Sequence, residues 1–160
     1  MHFLAALSAI VPSILLVSGS PALQKRARLL SSIVAPSAGS VINPGETFSF
    51  QYSLNNWCEG GYTPISLWLL QDAVTSSSLN SSEQFDQYIY HFGDYLYPNF
   101  GLPAMTHPPP PPATFTMPAL DPSYEGQTIY FAAIQTENSC PPDGHLEYGV
   151  ASTDIQYGTA

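Results

Sequence analysis

Residues 47–54, TFSFQYSL, alternate strictly. Phe48, Phe50, Tyr52 and Leu54 fall on one side of an extended backbone, and Thr47, Ser49, Gln51 and Ser53 fall on the other. Successive side chains of a strand point to opposite faces, so a period of two predicts a half-buried β-strand rather than a helix. The rest of the chain extends the pattern. Residues 65–70, ISLWLL, form a denser apolar run suited to a central strand. Strands are also expected at 30–34 and 41–42 around the turn APSAGS, at 87–92, 113–117 and 128–135, and at 148–157. Gly and Pro turns separate these segments, and helical signal is confined to one turn within 79–88. About seven short strands punctuated this way predict an all-β fold, an Ig-like antiparallel β-sandwich.

Residues 108–112 are five consecutive prolines. Proline fixes its own φ and lacks an N–H, so this run is extended polyproline II and cannot donate to a ladder. A stiff crossover between the two sheets is expected.

Lys25, Arg26 and Arg28 are the only three Lys or Arg residues, against twelve Asp and Glu. They follow the apolar run 3–17 and the small residues of 18–22. That order is the signature of a secretory signal peptide, and the run is too short for a comfortable membrane span. A signal peptide over 1–22 is expected, then a short propeptide, 23–26, ending in the dibasic pair Lys25-Arg26. The β-sandwich domain would occupy 27–160 and carry a single Arg against twelve acids. Such acidity excludes nucleic acid, whose phosphates are neutralised by Lys and Arg, and anionic membrane surfaces. The end of the chain, DIQYGTA, is not apolar, so a released, soluble, extracellular monomer is expected, with no membrane insertion after signal removal.

Cys58 and Cys140 are the only two cysteines. In an oxidising compartment an even count predicts one disulfide, worth on the order of 4 kcal/mol for so long a loop. Asn80-Ser81-Ser82 is a sequon for N-glycosylation within the polar run TSSSLNSSE.

The opening IVAPSAGSVINPGETFSFQY, the Trp-containing strand SLWLL and the later ATFTMP resemble small secreted Ig-like β-sandwich proteins of fungi. The likeness is to necrosis-inducing secreted effectors and to the Ig-like module of Ser/Thr-rich cell-wall proteins. The resemblance implies a secreted, non-enzymatic sandwich with no catalytic residues to carry over.

Three arrangements bear on chemistry. Cys140 and His145 have the spacing of a cupredoxin copper loop, with His91 as a second imidazole, but no Met follows His145 as an axial ligand. A disulfide uses both cysteines more simply, so no metal and no cofactor is expected. Glu59, Glu137, Asp143 and Glu147 are expected to converge near the bridge as a solvated acidic rim; calcium is a minor alternative. Residues 88–100, YIYHFGDYLYPNF, are the richest binding feature. Tyr88, Tyr90 and Phe92 are expected on the inward face of a strand. Tyr95, Tyr97 and Phe100 lie among Gly93, Pro98 and Gly101 and are expected as an exposed binding patch. The expected function is a secreted binding module at a cell surface or wall, whose partner is a cell-wall or cell-surface glycan or an extracellular protein. The alternative is a carbohydrate-active protein that binds or cleaves a neutral glycan through these aromatics and the acidic loops.

Overall fold

The computed structural model describes residues 26–27, 31–56, 58–75, 78–140 and 145–158. The expected signal peptide, Lys25 and Asp143 lie outside the described residues, as do the side chains of Arg26, Cys140 and His145. The fold is all-β. Its strands are β1 (Arg26–Ala27), β2 (Ser32–Ala35), β3 (Ser40–Ile42), β4 (Thr47–Ser49), β5 (Gln51–Ser53), β6 (Tyr62–Leu70), β7 (Tyr90–Pro98), β8 (Thr114–Thr116), β9 (Thr128–Cys140) and β10 (His145–Tyr157). A 3-10 turn, Pro122–Tyr124, precedes β9.

The main sheet runs β1-β10-β9-β6-β7, and β3 also joins β10. β10–β9, β9–β6 and β6–β7 pair antiparallel, whereas β1 and β3 join β10 in parallel at different points along its free edge. The sheet is therefore mixed, where a purely antiparallel one was expected. Two short ladders, β2–β5 and β4–β8, supply the opposing layer.

The alternating segment explains how the layers meet. It was expected as one strand but is divided at Phe50, whose N–H donates to the Ala113 carbonyl at 2.8 Å. On one side of this switch β4 pairs with β8, and on the other β5 pairs with β2. The pleat continues through the change of partner, so Phe48, Phe50 and Tyr52 are all buried on the same side. Phe48 and Phe50 meet Phe131 of β9 edge to face, at 5.6 Å and 5.8 Å. Phe115 of β8 closes the cluster against Phe50 at 5.4 Å. Ile65, Leu67, Leu69, Ile129 and Ile155 complete this face. Each such side chain stabilises the fold by about 1.5–3 kcal/mol through burial.

β6 is central, as its unbroken apolar run predicts, and from Leu67 to Leu70 it is buried on both faces. Its outer residues Trp68 and Leu70 pack with Ala132, Ile134 and Phe85 in a second, smaller core. Phe85 comes from the segment between β6 and β7, which folds back over the outer face and closes on itself through a bridge between Leu79 and Phe85.

β7 departs most from expectation. It begins at Tyr90 and runs through Gly93 to Pro98, where the sequence pattern ends a strand near Phe92. Leu67 pairs with Gly93 and Trp68 with His91, so Phe92 is the extra residue of a β-bulge. Gly93 takes φ 133°, which only glycine adopts readily. The bulge reassigns the faces of the residues that follow it. Phe92 turns to the main core as expected, and His91 stacks on Trp68 at 3.8 Å. Tyr90, across from Leu69, shares the inward face but is exposed at its end of the strand, and Tyr88, which precedes β7, is exposed.

The proline run lies along the outer edge of β7, with the Leu96 N–H donating to the Pro109 carbonyl at 2.9 Å. It then leads into β8 of the opposing layer. Prolines accept but do not donate, so this cover occupies the sheet edge without offering a further ladder.

Candidate functional site

One end of the sheet is polar where the rest of its inner face is apolar. Along β9 the inward positions read Ile129, Phe131, Ala133, Gln135 and Glu137. Gln135 and Glu137 are nearly as buried as the residues before them. Burying polar groups is tolerated only with partners, and these have them. The Thr63 hydroxyl donates to Glu137 Oε1 at 3.0 Å, and Gln135 Nε2 donates to the same oxygen at 2.8 Å. Gln135 Nε2 also reaches the Asn55 carbonyl, and the Tyr52 hydroxyl donates to Gln135 Oε1 at 3.2 Å. Asn99 Nδ2 donates to Thr63 Oγ1 at 3.0 Å and to the Gly60 carbonyl at 2.8 Å. One chain of hydrogen bonds therefore links β5, β9 and β6 to the loop after β7.

Glu147 of β10 stands directly across from Glu137 and is also buried. The register sets Arg26 of β1 across from Glu147 on the other side, so the bond expected to be cut after Arg26 falls within β1. Burial holds the Glu137 carboxyl above its ordinary value of 4.5, and the hydrogen bonds from Thr63 and Gln135 oppose that rise. Burial likewise pushes the Tyr52 phenol up to about 12. The acidic rim expected here is thus not solvated as a whole. Glu137 and Glu147 are interior because β9 and β10 carry them on the inward face, whereas Glu59 is exposed in its loop.

Above this network sits the turn Asn99-Phe100-Gly101-Leu102, closed by the Leu102 N–H donating to the Asn99 carbonyl at 3.0 Å. Phe100 has φ 53° and Gly101 φ 72°. Both central residues are left-handed, the arrangement of a type I′ turn. For a bulky residue this conformation costs on the order of 1–3 kcal/mol. The surroundings hold it there. Asn99 N–H donates to the Gly61 carbonyl at 2.9 Å, and the Tyr62 hydroxyl donates to the Pro103 carbonyl at 3.0 Å. A Cβ at Gly61 would stand 3.0 Å from Leu102 Cδ1, a tight contact that the Leu102 side chain would have to shift to relieve.

The three aromatics expected as a patch are placed differently. Phe100 is 74% exposed, and Leu102 and Met105 beside it in sequence are exposed as well. Tyr95 and Tyr97 are half-buried and pack against the main core, because the bulge at Phe92 sets them on the inward face of β7. Tyr97 stacks on Tyr52 at 6.4 Å, and the Tyr95 hydroxyl donates to the Phe92 carbonyl at 3.1 Å. Burial raises both phenols above their ordinary value.

The other expected positions are distributed. Cys58 is not a free thiol. Asn80 organises its own loop. Its side-chain oxygen accepts from the N–H of Ser82 and of Gln84, and its Nδ2 donates to Asp86 at 2.8 Å. His91 lies against Trp68, with Nε2 3.4 Å from Asp94 Oδ1. Among the described residues, no group of three or more His, Cys, Asp or Glu is placed to hold a metal ion. Thr63, Gln135 and Asn99 carry no local signal; only the spacing of Asn99 before Phe-Gly hints at a turn. The chain matches no protein-family model, no curated protein and no solved structure.

Proposed function

We propose that this chain is a secreted, non-enzymatic binding module that engages an extracellular protein or glycan at a cell surface or wall through the turn bearing Phe100. One observation carries the proposal: a large apolar side chain is exposed in a left-handed conformation, on a turn clamped from below by Asn99. Strain of this kind persists where the surroundings over-determine it, and such positions cluster at ligand contacts. A rigid aromatic anchor also loses little entropy on binding. The proposal includes export through the leader and the Lys25-Arg26 cut, a Cys58–Cys140 disulfide and an Ig-like arrangement. The order β10-β9-β6-β7 is compatible with the G-F-C-C′ face of variable-type Ig domains. Trp68, however, faces the outer core rather than a disulfide.

The test is Phe100→Gly. Glycine relieves the positive φ, so the variant should be more stable by about 1 kcal/mol in urea unfolding. Retention of the purified protein on intact cells or isolated walls should be lost at the same time. Retention equal to the parent protein would refute the assignment of Phe100.

A further inference from the structure

At the other end of β6 and β7 from Phe100 lies a groove of about 480 Å³. It opens where the chain leaves β6 at Leu70 and returns to β7 at Ile89, and its opposite wall is Tyr124 of the 3-10 turn. A smaller depression of about 350 Å³ adjoins it, sharing Gln71, Asp72 and Tyr124 and reaching Ser123 and Gln127. We propose that this continuous groove is a binding site for a linear neutral saccharide.

The chemistry of the lining selects that class. Tyr88 is 54% exposed, and its ring rests edge to face on Trp68 at 4.9 Å. Trp68 is buried and stacked by His91 at 3.8 Å, so the exposed ring rests on a fixed aromatic neighbour. A rigid ring with an open face suits the C–H surface of a pyranose. Around it stand Gln71, Asp72, Asp86 and Gln87, all exposed. Amides offer both donors and acceptors, and carboxylates accept from paired hydroxyls, which together meet the needs of a polyol. Lys and Arg are absent from the lining, so an anionic ligand would meet only negative charge.

The walls are pre-organised. Asp86 is held by Asn80 Nδ2 at 2.8 Å, and Phe85 beside it is buried in the outer core. The 3-10 turn is fixed by Asp121, whose carboxylate accepts from the Ser123 N–H at 2.9 Å and its hydroxyl at 2.7 Å. Little ordering remains to be done on binding, which favours affinity. The two depressions share Gln71, Asp72 and Tyr124, so a ligand of more than one ring could occupy both.

The test uses the whole protein, with uncharged β-linked hexasaccharides of glucose and of N-acetylglucosamine titrated by calorimetry. Saturable binding of at least one is expected. Tyr88→Ala should weaken it by about tenfold or more, a loss typical of one aromatic contact. Asp72→Asn should weaken it as well. Both residues are exposed, and unchanged melting would show that the fold is intact. Phe100→Gly should leave sugar binding untouched, which separates this site from the proposed Phe100 contact. Failure of both sugars to bind overturns the inference. So does binding that survives both groove substitutions, or loss through Phe100→Gly alone. Preference for a protonated polyamine over either sugar would reassign the groove to a cationic ligand and equally overturn it.

Discussion

The two ends of β9 share one face, one pleat and the same depth of burial, yet they are built on opposite principles. At Ile129, Phe131 and Ala133 the interior is filled by apolar surface, chiefly aromatic rings meeting edge to face. At Gln135 and Glu137 it is filled by polar groups that tolerate burial only because each meets another. Apolar packing is non-directional and tolerates small shifts in position. A buried hydrogen-bond network is directional, and a missing member exposes its partners' full desolvation cost. The apolar end therefore supplies most of the stability. The polar end fixes geometry, and it is the end that holds the strained turn at Phe100.

The largest expected effect tests the apolar half. Phe131→Ala removes a fully buried ring that meets Phe48, Phe50, Phe92 and Phe115, and should cost about 3–5 kcal/mol in urea unfolding. A cost under about 2 kcal/mol would mean that the rings close over the gap, and the contrast between the two ends would weaken.

A smaller loss is expected at the polar end. Thr63→Val keeps the shape but deletes the hydroxyl that joins Asn99 to Glu137. It should cost about 1–3 kcal/mol. Combined with Asn99→Ala, it should show a coupling of about 0.5 kcal/mol or more in a double-mutant cycle. Strict additivity would mean that the hydrogen bonds act separately rather than as a network.

The smallest effect is a slope against pH. Burial raises the folded-state pKa of Glu137 above the ordinary 4.5. The folded protein then holds that proton more tightly than the unfolded chain does. The associated stability is complete below pH 4.5 and is lost as pH rises through the raised value. Melting temperatures recorded from acid to neutral pH should fall through this window in the parent protein and fall less in Glu137→Gln. A parent melting temperature that climbs across the window would show that the carboxylate is stabilised, not penalised, by its surroundings.

Much of this contrast is invisible along the chain. TIYFAAIQTE reads as one apolar, β-rich strand, and nothing in it announces that its last inward positions will be polar and buried. Their partners come from far away: Tyr52 is 83 residues from Gln135, and Thr63 is 74 from Glu137. The Tyr95, Tyr97 and Phe100 patch was legible only in its last member. Gly93 reads as a strand end, but pairing with β6 carries the strand through it as a bulge. That single extra residue decides which tyrosines face the core. The groove at Tyr88 could not be read at all, because its walls lie on either side of β7 in the chain and meet only once β6 and β9 have paired.

The amino-acid sequence by itself determined that this protein is all-β, and which residues alternate into its core: Phe48, Phe50 and Tyr52 are buried as their period of two requires. It could do so because pleating is a local property, fixed residue by residue by backbone sterics. The tertiary structure alone decided which strands pair, where the ladder shifts by one residue, and which polar groups meet inside. Those outcomes depend on contacts between distant segments, and in a sheet a shift of one residue exchanges the buried face for the exposed one.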